Sequence, residues 1–260
     1  MRSYAQTDIG IVRQMNQDFV FADDTPVGPL ANLYIVADGM GGHKAGDFAS
    51  RFCVEKFTEL IRAAGPEQYS IINLIEESLR QTNEQLMFKA AESADYEGMG
   101  TTFVGCTINA DGIMIAANIG DSRLYLARKE LIQITEDHSL VAEMVRKGDI
   151  KKEEARFHPK KNVVTRAISA AGVAIPDFFE VQLRPGDIVL LCSDGLSNML
   201  SDADIFEIID AHRNSLQDMG ICLIQRANDN GGKDNISVVL AEYSPETAPE
   251  PGAEQTADTQ

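Results

Sequence analysis

The chain has 260 residues, 44% of them hydrophobic and 24% charged, which is ordinary for a globular protein and enough for one large domain or two small ones. Forty acidic against 23 basic residues leave a formal charge of −17, a field that repels DNA, RNA and anionic lipid and lacks the basic footprint such partners need. Nucleic acid and membrane surfaces are therefore disfavoured as partners, and most of the carboxylates read as a solvated surface.

Met1 to Asp8 lack the apolar core of a signal peptide, and no later stretch approaches about 18 uninterrupted apolar residues. The four cysteines, Cys53, Cys106, Cys192 and Cys222, lie far apart in apolar surroundings without a Cys-x-x-Cys pair. Buried thiols in a reducing, cytoplasmic compartment are expected.

In chain order, strand-like runs occupy Leu33 to Ala37, Thr101 to Asn109, Ile113 to Asn118, Arg123 to Ala127, Asp187 to Cys192 and Asn235 to Tyr243. Helical spacing joins Ala49, Phe52, Cys53, Phe57, Leu60 and Ile61, and again Ile71, Ile75, Leu79, Leu86 and Ala90, so two long amphipathic helices follow the first of these strands. Further helices begin near Ser139, Ser201 and Ser215, with Ser201-Asp202-Ala203-Asp204 resembling a capping box. Because helices come in blocks, a strict βαβ repeat is disfavoured and a layered α+β domain with largely antiparallel sheets is expected. One domain is expected over residues 1–243. Residues 244–260, with three prolines, four acids and no large apolar side chain, cannot bury enough surface to order themselves and are expected to form a disordered acidic tail.

The chemistry concentrates on aspartates beside strands and glycine turns. Asp38-Gly39 ends the run Leu33 to Ala37, Asp194-Gly195 follows Ile188 to Cys192, and Asp234 precedes Ile236 to Leu240. Three carboxylates delivered to one sheet rim can share divalent cations through oxygen ligands, the pattern suited to Mg²⁺ or Mn²⁺, and glycine lets a main-chain carbonyl approach the cation. The bland alternative is a hairpin turn, which Asp111-Gly112 illustrates between two strand-like runs. Arg13, five residues before Asp18, offers a planar fork for phosphate oxygens, although a lone arginine is more often a surface charge. Asp121 reads equally well as a further rim carboxylate or as the corner of a hairpin. His43 and His138 can exchange protons near neutral pH, with a structural role favoured for His138.

These residues, together with Gly100-Thr101-Thr102, Asp137-His138-Ser139 and Asn162 to Ile168, resemble the metal-dependent serine/threonine protein phosphatases of the protein phosphatase 2C type, especially bacterial members. The resemblance runs from about residue 4 to 243. It implies a four-layer α-β-β-α sandwich of two central antiparallel sheets flanked by helices, with a two-metal centre at one end. By motif, Asp38 resembles the ligand bridging both metals, Gly39 supplies a carbonyl, and Asp194 and Asp234 resemble the remaining ligands of the second metal. Asp18 resembles the carboxylate that holds metal-bound water, Arg13 the phosphate clamp, and Asp121 the ligand of a third, weaker metal. The segment from about Gly148 to Lys161 resembles a flap beside the site. Gln17 stands where a glutamate is frequent, and Met40 where animal members carry a histidine general acid, which leaves His43 or a metal-bound water as proton donor.

The resemblance thus implies hydrolysis of phosphoserine and phosphothreonine in proteins by a hydroxide bridging two Mn²⁺ or Mg²⁺ ions, by a monomer that opposes a serine/threonine kinase. A cysteine phosphatase is excluded, because the position six residues after each cysteine is Glu59, Gly112, Asn198 or Asn228 and never arginine. Asp202-Ala203-Asp204 does not follow an apolar strand and suits a helix start better than an aspartyl-phosphate mechanism. A pseudophosphatase binding module, or a phosphatase of small phosphoesters, are the competing readings.

Overall fold

In the computed structural model, which describes residues 1–41, 45–65, 70–96, 98–169 and 171–244, the apolar runs become strands of two antiparallel sheets. The first sheet runs β1 (Arg2–Asp8), β12 (Ile236–Glu242), β11 (Ile188–Cys192), β7 (Arg123–Ala127), β8 (Leu131–Gln133). The second runs β10 (Asp177–Gln182), β6 (Ile113–Ile119), β5 (Phe103–Ile108), β3 (Leu33–Met40), β4 (Gly100–Thr101), β9 (Ile168–Ser169), with β2 (Asp18–Asp23) also paired to β3.

Side-chain alternation builds the layers. On β11, Val189 and Leu191 point between the sheets, where they meet Val239 of β12 and Val36 and Val104 of the second sheet. Ile188, Leu190 and Cys192 point the other way, into a core shared with α6 (Asp202–Ala211) and α7 (Leu216–Asp229). On the outer face of the second sheet, Ile35, Ala37 and Phe103 pack against Cys53, Phe57 and Ile61 of α1 (Ala45–Ala63) and Leu79 and Leu86 of α2 (Ile71–Glu92). Because both faces of each central strand are covered, the strands read as continuous apolar runs rather than alternating ones. The four-layer order of helices, sheet, sheet, helices is the expected one.

Serine caps fix the helix starts where the sequence placed them. Ser139 Oγ accepts from the Ala142 N–H at the start of α3 (Leu140–Lys147), Ser201 and Asp204 form a reciprocal capping box on α6, and Ser215 Oγ accepts from the Asp218 N–H on α7. The expected strand Thr101 to Asn109 is split at Thr102, whose hydroxyl and backbone both bond to Asp38. Residues 148–161 follow the left-handed cap Gly148 of α3 and hold one short helix, α4 (Lys152–Ala155). The expected tail, apart from Ser244, lies outside the described residues.

Candidate metal centre

The site is assembled where strands of both sheets reach one rim. Antiparallel pairing of β2 with β3 sets Asp18 directly opposite Asp38. In the other sheet, β11 stops at Cys192, and the chain turns at Ser193 into the short helix α5 (Asp194–Ser197), so Asp194 opens that helix. Asp234 precedes β12 after Gly231 and Gly232, both at positive φ (120° and 46°), which suits glycine. A Cβ on Gly195 would lie 1.9 Å from the Asn235 carbonyl oxygen, and this close approach packs the Asp194 turn against the Asp234 turn. Asp121 sits between β6 and β7, after Gly120 at φ 116°.

Asp38 is in the interior of β3, which continues to Met40, and not at the strand end where the apolar run stops. Its N–H donates to Thr102 Oγ1 (2.9 Å), while its carbonyl accepts from the Thr102 N–H (2.9 Å) and Thr101 Oγ1 (3.0 Å). Gly39 has no positive φ. Glycine is required there by space, since a Cβ would stand 2.1 Å from the Gly46 carbonyl oxygen and 2.5 Å from that of Gln17.

Asp18 is buried. Its Oδ2 accepts from Ser193 Oγ and Ser237 Oγ, both at 2.7 Å, and its Oδ1 is buried without a hydrogen-bond partner. Arg13 Nη2 donates to Asp234 Oδ2 (2.7 Å), and Asn198 Nδ2 to Asp194 Oδ2 (2.9 Å). The segment carrying Arg13 is pinned by Asn235, whose Nδ2 donates to the Ile9 and Met15 carbonyls and whose Oδ1 accepts from the Gln17 N–H, all at 2.9 Å.

So much negative charge in one place is electrostatically expensive. Burial, then the charges of Asp18, Asp194, Asp121 and Asp234, push the Asp38 carboxyl well above the ordinary range. Burial raises Asp18 to about 7 against the lowering effect of its two serine hydrogen bonds. Burial and then Asp194 raise Asp121 to about 8, and burial and then Asp234 raise Asp194 to about 6. Arg13 is pushed up by its hydrogen bond to Asp234. A divalent cation is the natural offset. The donors are all oxygens, as hard cations require, and Asp18 Oδ1 is an orphaned buried acceptor of the kind a coordinated water satisfies. Among the described residues no three acidic, histidine or cysteine side chains are drawn together closely enough to hold a metal ion by themselves.

Six residues singled out in the sequence, Arg13, Asp18, Asp38, Asp121, Asp194 and Asp234, thus gather around one rim with Gly39 beside them, whereas His43 lies outside the described residues. His138 is buried and fully hydrogen-bonded, in keeping with a structural role. Sequence reasoning missed Ser193, Ser237, Asn198 and Asn235 as supports. The available signal was a polar residue, Ser237, inside the otherwise apolar strand Ile236 to Ala241.

The pattern of the family described as protein phosphatase 2C matches residues 11–240, a span that contains every one of these aspartates and Arg13. The chain belongs to the protein phosphatase 2C family. Serine/threonine phosphatase Stp of Listeria innocua is 39% identical to it, over 93% of this chain and 96% of the relative. The solved serine/threonine phosphatase of S. agalactiae superposes with a TM-score of 0.84 at 39% identity, covering 92% of this chain and 98% of that one. The catalytic domain of the serine/threonine protein phosphatase PstP, solved in complex with two manganese ions, gives 0.81 at 34% identity over 94% and 98%. The protein phosphatase 2C family is metal-dependent, and the acidic rim of this member has the oxygen donors to match.

Proposed function

We propose that this protein serine/threonine phosphatase hydrolyses phosphoserine and phosphothreonine side chains at the acidic rim. In this reading Asp38, Asp194 and Asp234, with the Gly39 carbonyl, hold two divalent cations, Asp18 holds water bound to them, and Asp121 serves a third, weaker cation. The observation that carries it is the convergence of five carboxylates from both sheets next to the Arg13 guanidinium, with Asp18, Asp38, Asp121 and Asp194 raised by burial and by neighbouring carboxylates. Bound cations supply charge neutralisation at the phosphoryl oxygens and lower the pKa of the attacking water.

The chain's own residues do the rest. Arg13 commits one guanidinium nitrogen to Asp234, and the planar fork carries further N–H donors for phosphate oxygens. Asn235 fixes the segment from Ile9 to Gln17, so that the arginine approaches the rim from one direction. Ser193 and Ser237 hold one oxygen of Asp18 and leave the other free of protein partners. Thr101 and Thr102 hold the Asp38 backbone, which sets the height of its carboxylate above the rim. His43 is the proposed proton donor to the leaving serine or threonine oxygen.

Mn²⁺ and Mg²⁺ both suit such a donor set, and the manganese of the PstP neighbour favours Mn²⁺. Action as a monomer on phosphoproteins that include a serine/threonine kinase completes the proposal. Four free thiols support a reducing, cytoplasmic setting, and no described helix is long and apolar enough to cross a membrane. The test uses purified protein stripped of metal and assayed on a phosphothreonine peptide and on a small phosphoester, with and without Mn²⁺ or Mg²⁺, beside Asp194→Ala. Cation-dependent peptide turnover that disappears in the variant is expected. Peptide turnover without any cation, or undiminished in Asp194→Ala, overturns the assignment of the rim, and preference for the small phosphoester overturns the protein substrate.

A further inference from the structure

His138 lies outside the carboxylate cluster, is 3% exposed, and uses both ring nitrogens. Nδ1 accepts from the Gly120 N–H (3.0 Å), so the ring proton must sit on Nε2, which donates to Asp177 Oδ2 (2.9 Å) at the start of β10. The backbone repeats the grip, because the His138 N–H donates to the Gly120 carbonyl (2.9 Å). One residue therefore holds both backbone groups of the glycine immediately before Asp121.

Gly120 follows the last residue of β6 and has φ 116°, so the strand ladder no longer restrains it and it has no Cβ to resist rotation. Its buried N–H would be unsatisfied without the imidazole, at the full cost of desolvating a donor. That N–H belongs to the peptide between Ile119 and Gly120, so its release would let this peptide turn about the glycine and shift the backbone that carries Asp121, although the Gly120 carbonyl stays held by the His138 N–H and Asn118 Nδ2 (3.2 Å). The other attachments of His138 are firm. Asp177 also takes Arg166 Nη1 (2.6 Å), and the His138 carbonyl accepts from the Thr165 N–H (2.8 Å). The imidazole thus ties the Asp121 turn to β10 and to the chain that follows residues 148–161.

We propose that His138 is a positioning residue for the weaker cation site, holding Asp121 in its ligating orientation through the bond from Gly120 to Nδ1. This rests on the reading of Asp121 as a cation ligand. Two isosteres separate the two ring bonds, since an asparagine oxygen reaches the Nδ1 position and a glutamine nitrogen the Nε2 position.

The experiment is calorimetric titration of the metal-stripped protein with Mn²⁺, for wild type, D121N, H138N, H138Q and D177A, with phosphopeptide turnover of the wild type alongside. D121N is expected to lose the weakest cation. H138Q is expected to weaken that same cation about 10-fold or more with the core pair unchanged, in the range of a ligand's outer support. H138N and D177A, which both spare the Gly120 bond, are expected to stay near wild type. Equal weakening of all cations in H138Q, or no weakening, overturns the proposal. So does loss of the weakest cation in H138N or D177A, which keeps the test decisive even where H138Q fails to fold. An unchanged titration in D121N removes Asp121 from the ligands and the proposal with it, while wild-type turnover independently reports whether the phosphatase reading stands.

Discussion

Of the chain's three Asp-Gly pairs beside apolar runs, Asp38-Gly39 and Asp111-Gly112 do opposite things. Asp111-Gly112 joins β5 to β6. Gly112 sits at φ 77°, its N–H donates to the Asn109 carbonyl, and Asp111 is exposed to solvent. Asp38-Gly39 is no turn at all, because β3 runs through it to Met40 with Gly39 paired to Thr101. One glycine is there for backbone conformation and the other for space. The same two letters therefore carry no meaning until the neighbours are known: Asp38 faces four other carboxylates, whereas Asp111 stands at a hairpin corner.

Alanine at each aspartate breaks the comparison most sharply. Asp38→Ala is expected to lower kcat on a phosphothreonine peptide by roughly 10³-fold or more, since cation stabilisation of the transition state is worth several kcal/mol and each ~1.4 kcal/mol is a factor of ten. Asp111→Ala should leave kcat within about a factor of two, as expected for an exposed position away from the chemistry. Steady-state assays with Mn²⁺ check both, and comparable losses would end the distinction.

The glycines sharpen it. Gly39→Ala would drive a methyl group into the Gly46 carbonyl oxygen at the start of α1, so the rim must shift and activity should fall together with stability, by about 1 to 3 kcal/mol for such overpacking. Gly112→Ala places alanine at positive φ against the Tyr243 ring, 2.7 Å away, so stability should fall by about 1 to 2 kcal/mol with kcat unchanged. Urea unfolding combined with kcat measurement separates the two.

The contrast also marks what could be read in the sequence. Strands covered on both faces, such as Ile188 to Cys192 and, apart from Ser237, Ile236 to Ala241, are apolar runs and were legible, as were the serine-capped helices. β1 and β10 were not, because their half-buried residues mix Arg, Gln, Asp and Glu with apolar ones and neither alternation nor continuity stands out. The acidic residues of the rim were legible because aspartates beside buried strands are unusual. Their supports were not, because Ser193, Ser237, Asn198 and Asn235 act across pairings far apart in sequence, and no local pattern tells a serine bonded to a carboxylate from any other buried serine.

Ser237→Ala tests whether such support matters at Asp38's side of the comparison. It deletes one of the two hydroxyls on Asp18 Oδ2 and is expected to raise the Mn²⁺ concentration for half-maximal activity by roughly 10-fold, the lower range for an outer-shell partner. A metal titration monitored by turnover reads it. An unchanged half-saturation would mean that Ser193 alone orients Asp18.

The smallest effect is one of pH, and it distinguishes the rim from the rest of the acidic chain. Asp18, Asp121 and Asp194 have folded-state pKa values raised to about 7, 8 and 6 by burial and by one another. A raised carboxyl binds more protons in the folded than in the unfolded state, so its contribution to stability is present below about pH 4 and is lost as pH climbs through the folded pKa. Metal-stripped protein in chelator should therefore melt at lower temperature at pH 8 than at pH 6. A carboxylate that titrates in or below the ordinary range is already ionised across that interval in both states and contributes no slope. A bound cation favours the ionised forms, so Mn²⁺ should raise the melting temperature more at pH 8 than at pH 6. Asp38→Ala removes one repelling partner and should flatten the metal-free slope, whereas Asp111→Ala should leave it intact; a slope that both variants share equally would place its source outside the rim.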